Sequence, residues 1–163
     1  MMSRGAARCI GYSSLVSIGN ECDVSVGELV GLMTDDPGTD IIVLFLEAVR
    51  DPELLAASAR RAFAAGKPII AYKLGRSEAG RELAFSHSGA IAGPDASADT
   101  FFRHNGILRV DMLETLFELP PLVFQTRPTT ARRVAVLTTT GGGAAMIVDR
   151  LGAIGLDLVS ASP

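Results

Sequence analysis

Tryptophan is absent from this chain, and histidine, cysteine and tyrosine occur only twice each. Cys9 and Cys22 have no CxxC spacing and no neighbouring histidine, which speaks against a zinc site or a disulfide framework and for reduced thiols. No apolar run approaches the roughly 20 residues of a membrane span, and Met1-Met2-Ser-Arg4 lacks the apolar centre of a signal peptide. A soluble, cytoplasmic protein is expected. Excess basic charge is also missing: 15 Lys and Arg against 18 Asp and Glu give a net charge of −3, which argues against a nucleic-acid platform. Arg60-Arg61 and Arg132-Arg133 are local pairs on solvated flanks. What is abundant is apolar residues, at 48%, and glycine, at 17 positions. That is enough for a packed core and is the make-up of parallel α/β sheets covered by helices.

Strand and helix patterns alternate. Ser14-Leu-Val-Ser-Ile18 reads as a short strand ending at Gly19-Asn20. Val26 to Met33 carries a helical apolar stripe, closed by Asp35-Asp36-Pro37-Gly38. The continuous apolar run Asp40 to Leu46 predicts a strand buried on both faces. Pro52 near the start and Gly66 at the end bracket an alanine-rich helix, and Pro68 to Tyr72 forms the next strand. Ala98 to His104 reads as a helix, Ile107 to Val110 as a strand, and Asp111 as the N-cap of a helix through Glu118. Residues 120–130 form a proline- and threonine-rich link. Then Arg133 to Leu137 starts a new strand, Thr138 to Gly143 a loop, Ala144 to Leu151 a helix and Gly155 to Val159 a half-strand. A lone β-α unit cannot bury both its faces. The expected division is therefore a truncated element over 1–12, a domain over 13–119, a linker over 120–130 and the start of a second domain over 131–163.

Such alternation implies a parallel sheet with right-handed crossovers, whose ligands gather at the carboxyl ends of the strands. Asn20-Glu21, Glu47, Lys73 and Thr138-Thr139-Thr140 all fall there. The most informative segment follows Lys73: Lys73-Leu-Gly-Arg-Ser-Glu-Ala-Gly80, then Phe85-Ser-His-Ser-Gly-Ala-Ile-Ala-Gly93. It sets His87 among small residues, where a phosphate or another subunit could reach the ring. Imidazole can act there as base, ligand or phosphoryl acceptor; a loop histidine bonded to backbone is the plain alternative. No second His, Cys or carboxylate cluster lies near it, so no metal site is expected. Ser86 and Ser88 are hydroxyl neighbours without a nucleophile-elbow pattern. Glu47 ends an apolar strand, either as the first solvated loop residue or as the partner of a cation. Paired with a histidine it would fix the tautomer and stabilise charge on the ring. Thr138 to Ala145 joins a strand to a helix, so its glycines would open backbone N–H groups to an anion, with a tight structural turn as the alternative. It carries neither GxGxxG nor the Walker lysine-serine pair. Asp35-Asp36 with Lys73 raises a phosphorylated receiver domain, but the acidic pair lies at the opposite end of the sheet from Lys73. His104, at a helix end, is assigned no chemistry.

Together these segments resemble the NDP-forming acyl-CoA synthetases, relatives of the succinyl-CoA ligase α subunit. The resemblance rests on Ser17-Ile-Gly-Asn-Glu-Cys-Asp23, Asp35-Asp-Pro-Gly-Thr39 before a strand ending in Glu47, Gly66-Lys-Pro-Ile-Ile-Ala-Tyr-Lys73, Gly75-Arg-Ser-Glu-Ala-Gly80 and Ser86-His-Ser-Gly-Ala-Ile-Ala-Gly93. It covers about residues 10–119, while 131–159 resemble the opening of the next domain of that family. It implies a flavodoxin-like (Rossmann-like) parallel sheet with helices on both faces, plus the first β-α unit of a second similar domain. It implies an acid-thiol ligase that interconverts acyl-CoA, phosphate and ADP with free acid, CoA and ATP. An acyl phosphate forms, and a histidine carries its phosphoryl group to the nucleotide. His87 matches that histidine and Glu47 its orienting carboxylate. Thr139, Thr140, Gly141, Gly142 and Gly143, with Ser88 and Gly89, match the phosphate-binding positions. CoA, ATP or ADP and Mg2+ are then expected through CoA-binding and ATP-grasp domains or subunits, with a small carboxylic acid as substrate and a homo-oligomer left open; none is expected to bind this stretch tightly or to turn over on it alone. The strand and Gln-Ser-Gly turn that open the family's ligase domain have no counterpart here. A non-catalytic acyl-CoA-sensing or assembly module of a larger protein, such as a protein acyltransferase, is the competing reading.

Overall fold

The computed structural model describes residues 2–80, 95–124 and 130–159. These fall into two compact units, residues 1–127 and 128–163.

The first unit is built on three parallel strands, β1 (Ile42–Leu46), β2 (Ile69–Lys73) and β3 (Ile107–Val110), hydrogen-bonded in that order. Ile42 stands opposite Ile69 and Leu46 opposite Lys73; on the other side Ile69 meets Ile107 and Tyr72 meets Val110. Side chains alternate between the faces of a strand, and β2 shows it directly. Ile69 and Ala71 join a core with α2 (Val26–Asp35), α3 (Pro52–Ala64) and α4 (Asp95–His104), through Val30, Leu55, Ala59 and Phe102. Ile70 packs on the opposite face against Leu116 and Phe117 of α5 (Leu113–Glu118). Parallel strands need such cover on both sides.

The helix boundaries have local causes. Ser25 caps α2 by accepting from the Glu28 N–H, and the Glu28 carboxylate accepts in return from the Ser25 N–H, a complete capping box. Asp51 caps α3, Pro52 occupies its first turn, and Gly66 at φ 73° takes the left-handed conformation just beyond its end. Lys67 Nζ then donates to the carbonyls of Met33 and Asp36 at the end of α2, where a cation is favoured.

Several expectations are corrected. Residues 14–18 form no strand and their side chains are largely exposed; among the described residues β1 pairs with β2 alone, so no ladder holds that run. Residues 2–6 are a short helix, α1 (Met2–Ala6), tied to α5 by an Arg4–Glu114 ion pair, with Arg8 just past it pairing with Glu118. α4 begins at Asp95, earlier than its apolar residues indicate. Asp111 does not cap α5. Met112 holds that position without a side-chain bond, because the Asp111 carboxylate is engaged by Arg76 at 2.5 Å. The expected link begins with helix α6 (Pro120–Val123), whose first proline needs no N–H there. Arg60 and Arg61 are not merely solvated: they donate to Asn105 and Asp35.

The second unit pairs two short parallel strands, β4 (Arg133–Val134) and β5 (Asp157–Leu158), joined by α7 (Gly141–Ala153). The helix starts at Gly141, inside the expected loop, because Thr140 caps it by accepting from the Gly143 N–H. The strands are shorter than the apolar runs predict, and α7 buries none of its residues.

Candidate functional site

The carboxyl ends of β1 and β2 gather the polar residues of the first unit. Lys73 ends β2 opposite Leu46, and the Leu46 carbonyl accepts from the Leu74 N–H at 2.9 Å. Glu47, half-buried, is therefore the first residue past β1, next to this rung. Lys73 is 5% exposed, and its ammonium donates to the Leu74 carbonyl. Gly75 follows at φ 87°, a left-handed conformation open to glycine.

The loop after β1 carries Arg50 as well as Glu47. Arg50 Nε lies 3.8 Å from Glu21 Oε1, while Glu21 Oε2 accepts from the Val26 N–H at the start of α2. Glu21 thus fastens the 19–24 turn to both the α2 start and the β1 loop. Glu47 and Lys73 share one sheet edge, as the strand-end rule predicts, whereas Glu21, expected there as the end of a 14–18 strand, is held there by its pair with Arg50. Asp35 and Asp36 do not join them. They stand before β1, where Asp35 pairs with Arg61 and Asp36 accepts from the Gly38 N–H and the Thr39 hydroxyl. The Thr39 hydroxyl, and then the Gly38 N–H, hold the Asp36 carboxyl below the usual range.

His87, Ser88 and Gly89 lie outside the described residues. The flanks of their segment carry a charge network that sequence reasoning missed. Arg109 of β3 is buried, donates to Asp95 at 2.5 Å and pairs with Asp99 at 3.7 Å; Arg76 bridges Asp95 and Asp111. The signal was present: Ile107-Leu-Arg-Val110 places a charge inside a four-residue strand whose first and last residues are buried. The Arg109 hydrogen bond is the chief reason the Asp95 carboxyl titrates below its ordinary value. Burial works against it, and the charges of Arg109, Arg76 and Lys73 add to the lowering.

In the second unit, the Thr138 hydroxyl accepts from the Thr140 N–H at 3.2 Å and the Thr140 hydroxyl from the Gly143 N–H at 3.2 Å. A Cβ on Gly143 would lie 2.6 Å from that Thr140 oxygen, so glycine is required for the cap, whereas Gly141 and Gly142 face open space. The N–H groups of Gly141 and Gly142 have no acceptor within the helix. Thr139 precedes the cap. This is a helix start with room and donors for an anion.

A cavity of about 800 Å³ runs along β1 between residues 8–16, α2 and Phe117, lined by Ile10, Leu15, Met33 and Val43 among others. Neither Glu47 nor Lys73 lines it, so the chemistry and this apolar space do not coincide. Among the described residues, no three His, Cys, Asp or Glu side chains converge as a metal site, and no helix is long and apolar enough to cross a membrane.

The family model for the succinyl-CoA ligase like flavodoxin domain matches residues 1–123. The chain belongs to this family. It is 37% identical, over 86% of its length, to an ADP-forming acetate–CoA ligase of Methanocaldococcus jannaschii, of which it spans 20%. It is 32% identical to the α subunit of ADP-forming acetate–CoA ligase I from Pyrococcus furiosus, over 91% of this chain and 32% of that one. Among solved structures, the dinucleotide-forming acetyl-coenzyme A synthetase 1 of Ca. Korarchaeum cryptofilum, in complex with phosphate and ADP, superposes with a TM-score of 0.85 at 31% identity. The match covers 99% of this chain and 35% of that one. The chain thus spans between a fifth and about a third of the length of these relatives. Its parallel sheet is the flavodoxin-like sheet of the succinyl-CoA ligase like domain.

Proposed function

We propose that the chain is the phosphohistidine-carrying part of an ADP-forming acyl-CoA synthetase. In this reading phosphate displaces CoA from an acyl-CoA to give an acyl phosphate. A ring nitrogen of His87 then attacks phosphorus, the bond to the acyl oxygen breaks, and the carboxylate leaves. ADP next takes the phosphoryl group, forming ATP and returning the neutral ring. Glu47 accepts the other ring N–H, holding the tautomer and stabilising the positive charge that develops during transfer. The N–H groups of Gly141 and Gly142, with Thr139 and Thr140, receive the phosphoryl oxygens, while Gly143 holds the Thr140 cap; Ser88 and Gly89 follow His87 in the sequence and serve the same phosphoryl group. CoA, nucleotide and Mg2+ are held by CoA-binding and ATP-grasp domains or subunits, and the acid is a small carboxylic acid. Exposed, unpaired Cys9 and Cys22 accord with a cytoplasmic location.

The observation that carries this reading is the half-buried Glu47 at the carboxyl end of β1, beside Lys73, in a chain whose relatives are named ADP-forming ligases. The test is phosphorylation of the chain, together with the domains or subunits the reaction needs, by γ-labelled ATP. An acid-labile, base-stable label is expected, and His87→Ala should remove it. Equal labelling of His87→Ala and parent sinks the reading, as does a protein that binds acyl-CoA tightly yet never labels. Glu47→Gln should slow single-turnover labelling on the order of 10- to 100-fold; an unchanged rate removes Glu47 from the mechanism.

A further inference from the structure

Residues 81–94, which carry His87, adjoin the described residues at Gly80 and Asp95, and side chains near both junctions meet one set of charges. On the entering side, Arg76 Nη2 lies 2.5 Å from Asp111 Oδ1, just past β3, and its Nε lies 3.9 Å from Asp95 Oδ2. On the returning side, Asp95 is the first residue of α4, and its carboxylate also accepts from Arg109 Nη2. Arg109 Nη1 lies 3.5 Å from the Asp95 carbonyl, so side chain and backbone are held by one guanidinium.

Arg109 is the centre of this network. It stands opposite Ala71 in the sheet, its side chain is 5% exposed, and its guanidinium carbon lies 5.9 Å from the Phe102 ring centroid. Among the described residues its buried Nε has no hydrogen-bond partner. A buried charge contributes little net stability, and an apolar side chain of similar volume often serves a core better. What the guanidinium does supply is direction, because its planar fork fixes the carboxylate it grips in a way that a lysine ammonium does not.

We propose that Arg109, Asp95 and Arg76 are positioning residues that fix both flanks of the His87 segment relative to the end of β3. The proposal rests on the reading of His87 as the phosphoryl acceptor. Transfer to a ring nitrogen requires an in-line approach, and a displacement of about 1 Å can cost on the order of 100-fold in rate. Lys73, at the end of β2, adds its charge to the same carboxylate, so the network spans the ends of both strands.

The test is rapid-quench labelling of the assembled protein by ATP over a range of nucleotide concentrations, with Asp95→Asn, Arg109→Lys and Arg76→Gln. The saturating rate should fall on the order of 10- to 100-fold in the first two, with the half-saturating ATP concentration unchanged. Arg109→Lys combined with Asp95→Asn should be no slower than the slower single variant, because the two residues act as one unit. Arg76 is 45% exposed, so Arg76→Gln should melt near the parent temperature while still slowing transfer, and it decides the matter should the buried variants fail to fold. Variants that label at the parent rate, or that change only the half-saturating ATP concentration, overturn the proposal. If the parent itself takes no label at His87, the reading of His87 fails first. A labelled parent with unslowed variants removes the positioning role alone.

Discussion

Asp95 shows how a single carboxylate ties the fold to pH. Its folded-state pKa lies below the ordinary 3.8, first because Arg109 donates to it and then because Arg109, Arg76 and Lys73 surround it with positive charge. The ionised form therefore favours the folded state. That contribution is complete above the unfolded value near 3.8, and it is lost as the pH falls from there through the lower folded value. Asp95→Asn should accordingly melt below the parent at pH 7, and the gap should close as the pH drops well under 3.8. Thermal denaturation of the two proteins along a pH series measures this directly. A gap that stays constant down to pH 3 would mean that ionisation of Asp95 does not stabilise the fold. The same residue marks a limit of sequence reading. Arg109 precedes Val110 in an apolar strand and Asp95 lies 14 positions earlier, so no local spacing joins them. Asp111 fared likewise: its position suits a helix cap, but a stronger partner, Arg76, reaches it from a distant loop.

At the level of elements, α2 and α3 meet through glycine. A Cβ on Gly27 would stand 2.8 Å from the Leu55 nitrogen and 3.0 Å from the Leu54 carbonyl carbon. Both are backbone atoms of a capped helix start and cannot turn aside. Gly31, one helical turn later on the same face, has its nearest neighbours in the Ser58 hydroxyl at 3.4 Å and the Arg61 guanidinium at 3.5 Å, both of which can rotate. Gly27→Ala should therefore destabilise by about 1–3 kcal/mol through overpacking. At Gly31→Ala the roughly 1 kcal/mol of better helix propensity should offset the lesser crowding and leave stability near that of the parent. Chemical denaturation of both variants decides it, and equal losses would show that the two helices do not depend on this close approach. These glycines carry no turn signature, so their role was invisible in the sequence. Much else was legible because its cause is local: Pro52 and Gly66 bracket α3, the apolar run over 42–46 becomes β1, and the parallel strand-end rule brings Glu47 and Lys73 to one edge. Residues 14–18 misled because a β-rich run forms a strand only where a neighbour offers its backbone.

For the molecule as a whole, the two units differ in how much they bury. In the first, Ile70, Leu55, Phe102 and Leu116 are wholly enclosed, and β2 is hydrogen-bonded on both sides. In the second, α7 buries no residue, Met146 and Ile154 are more than half exposed, and β4 and β5 contribute two residues each. A two-stranded ladder is marginal in water, and a helix of 13 residues sits near the length at which an isolated helix is barely stable. Local opening needs little free energy where few apolar contacts must break. Amide hydrogen exchange of residues 1–163 should thus divide the chain. The Ile69–Lys73 amides should be the slowest to exchange, tracking global unfolding, while those of 141–153 should exchange orders of magnitude faster. Binding of phosphate at the Gly141 helix start should slow the latter group selectively, since any ligand that binds only the formed helix raises its opening free energy. Protection of α7 equal to that of β2 without added ligand would show that the apolar side chains of the second unit are covered, and that its helix does not depend on a further surface for stability.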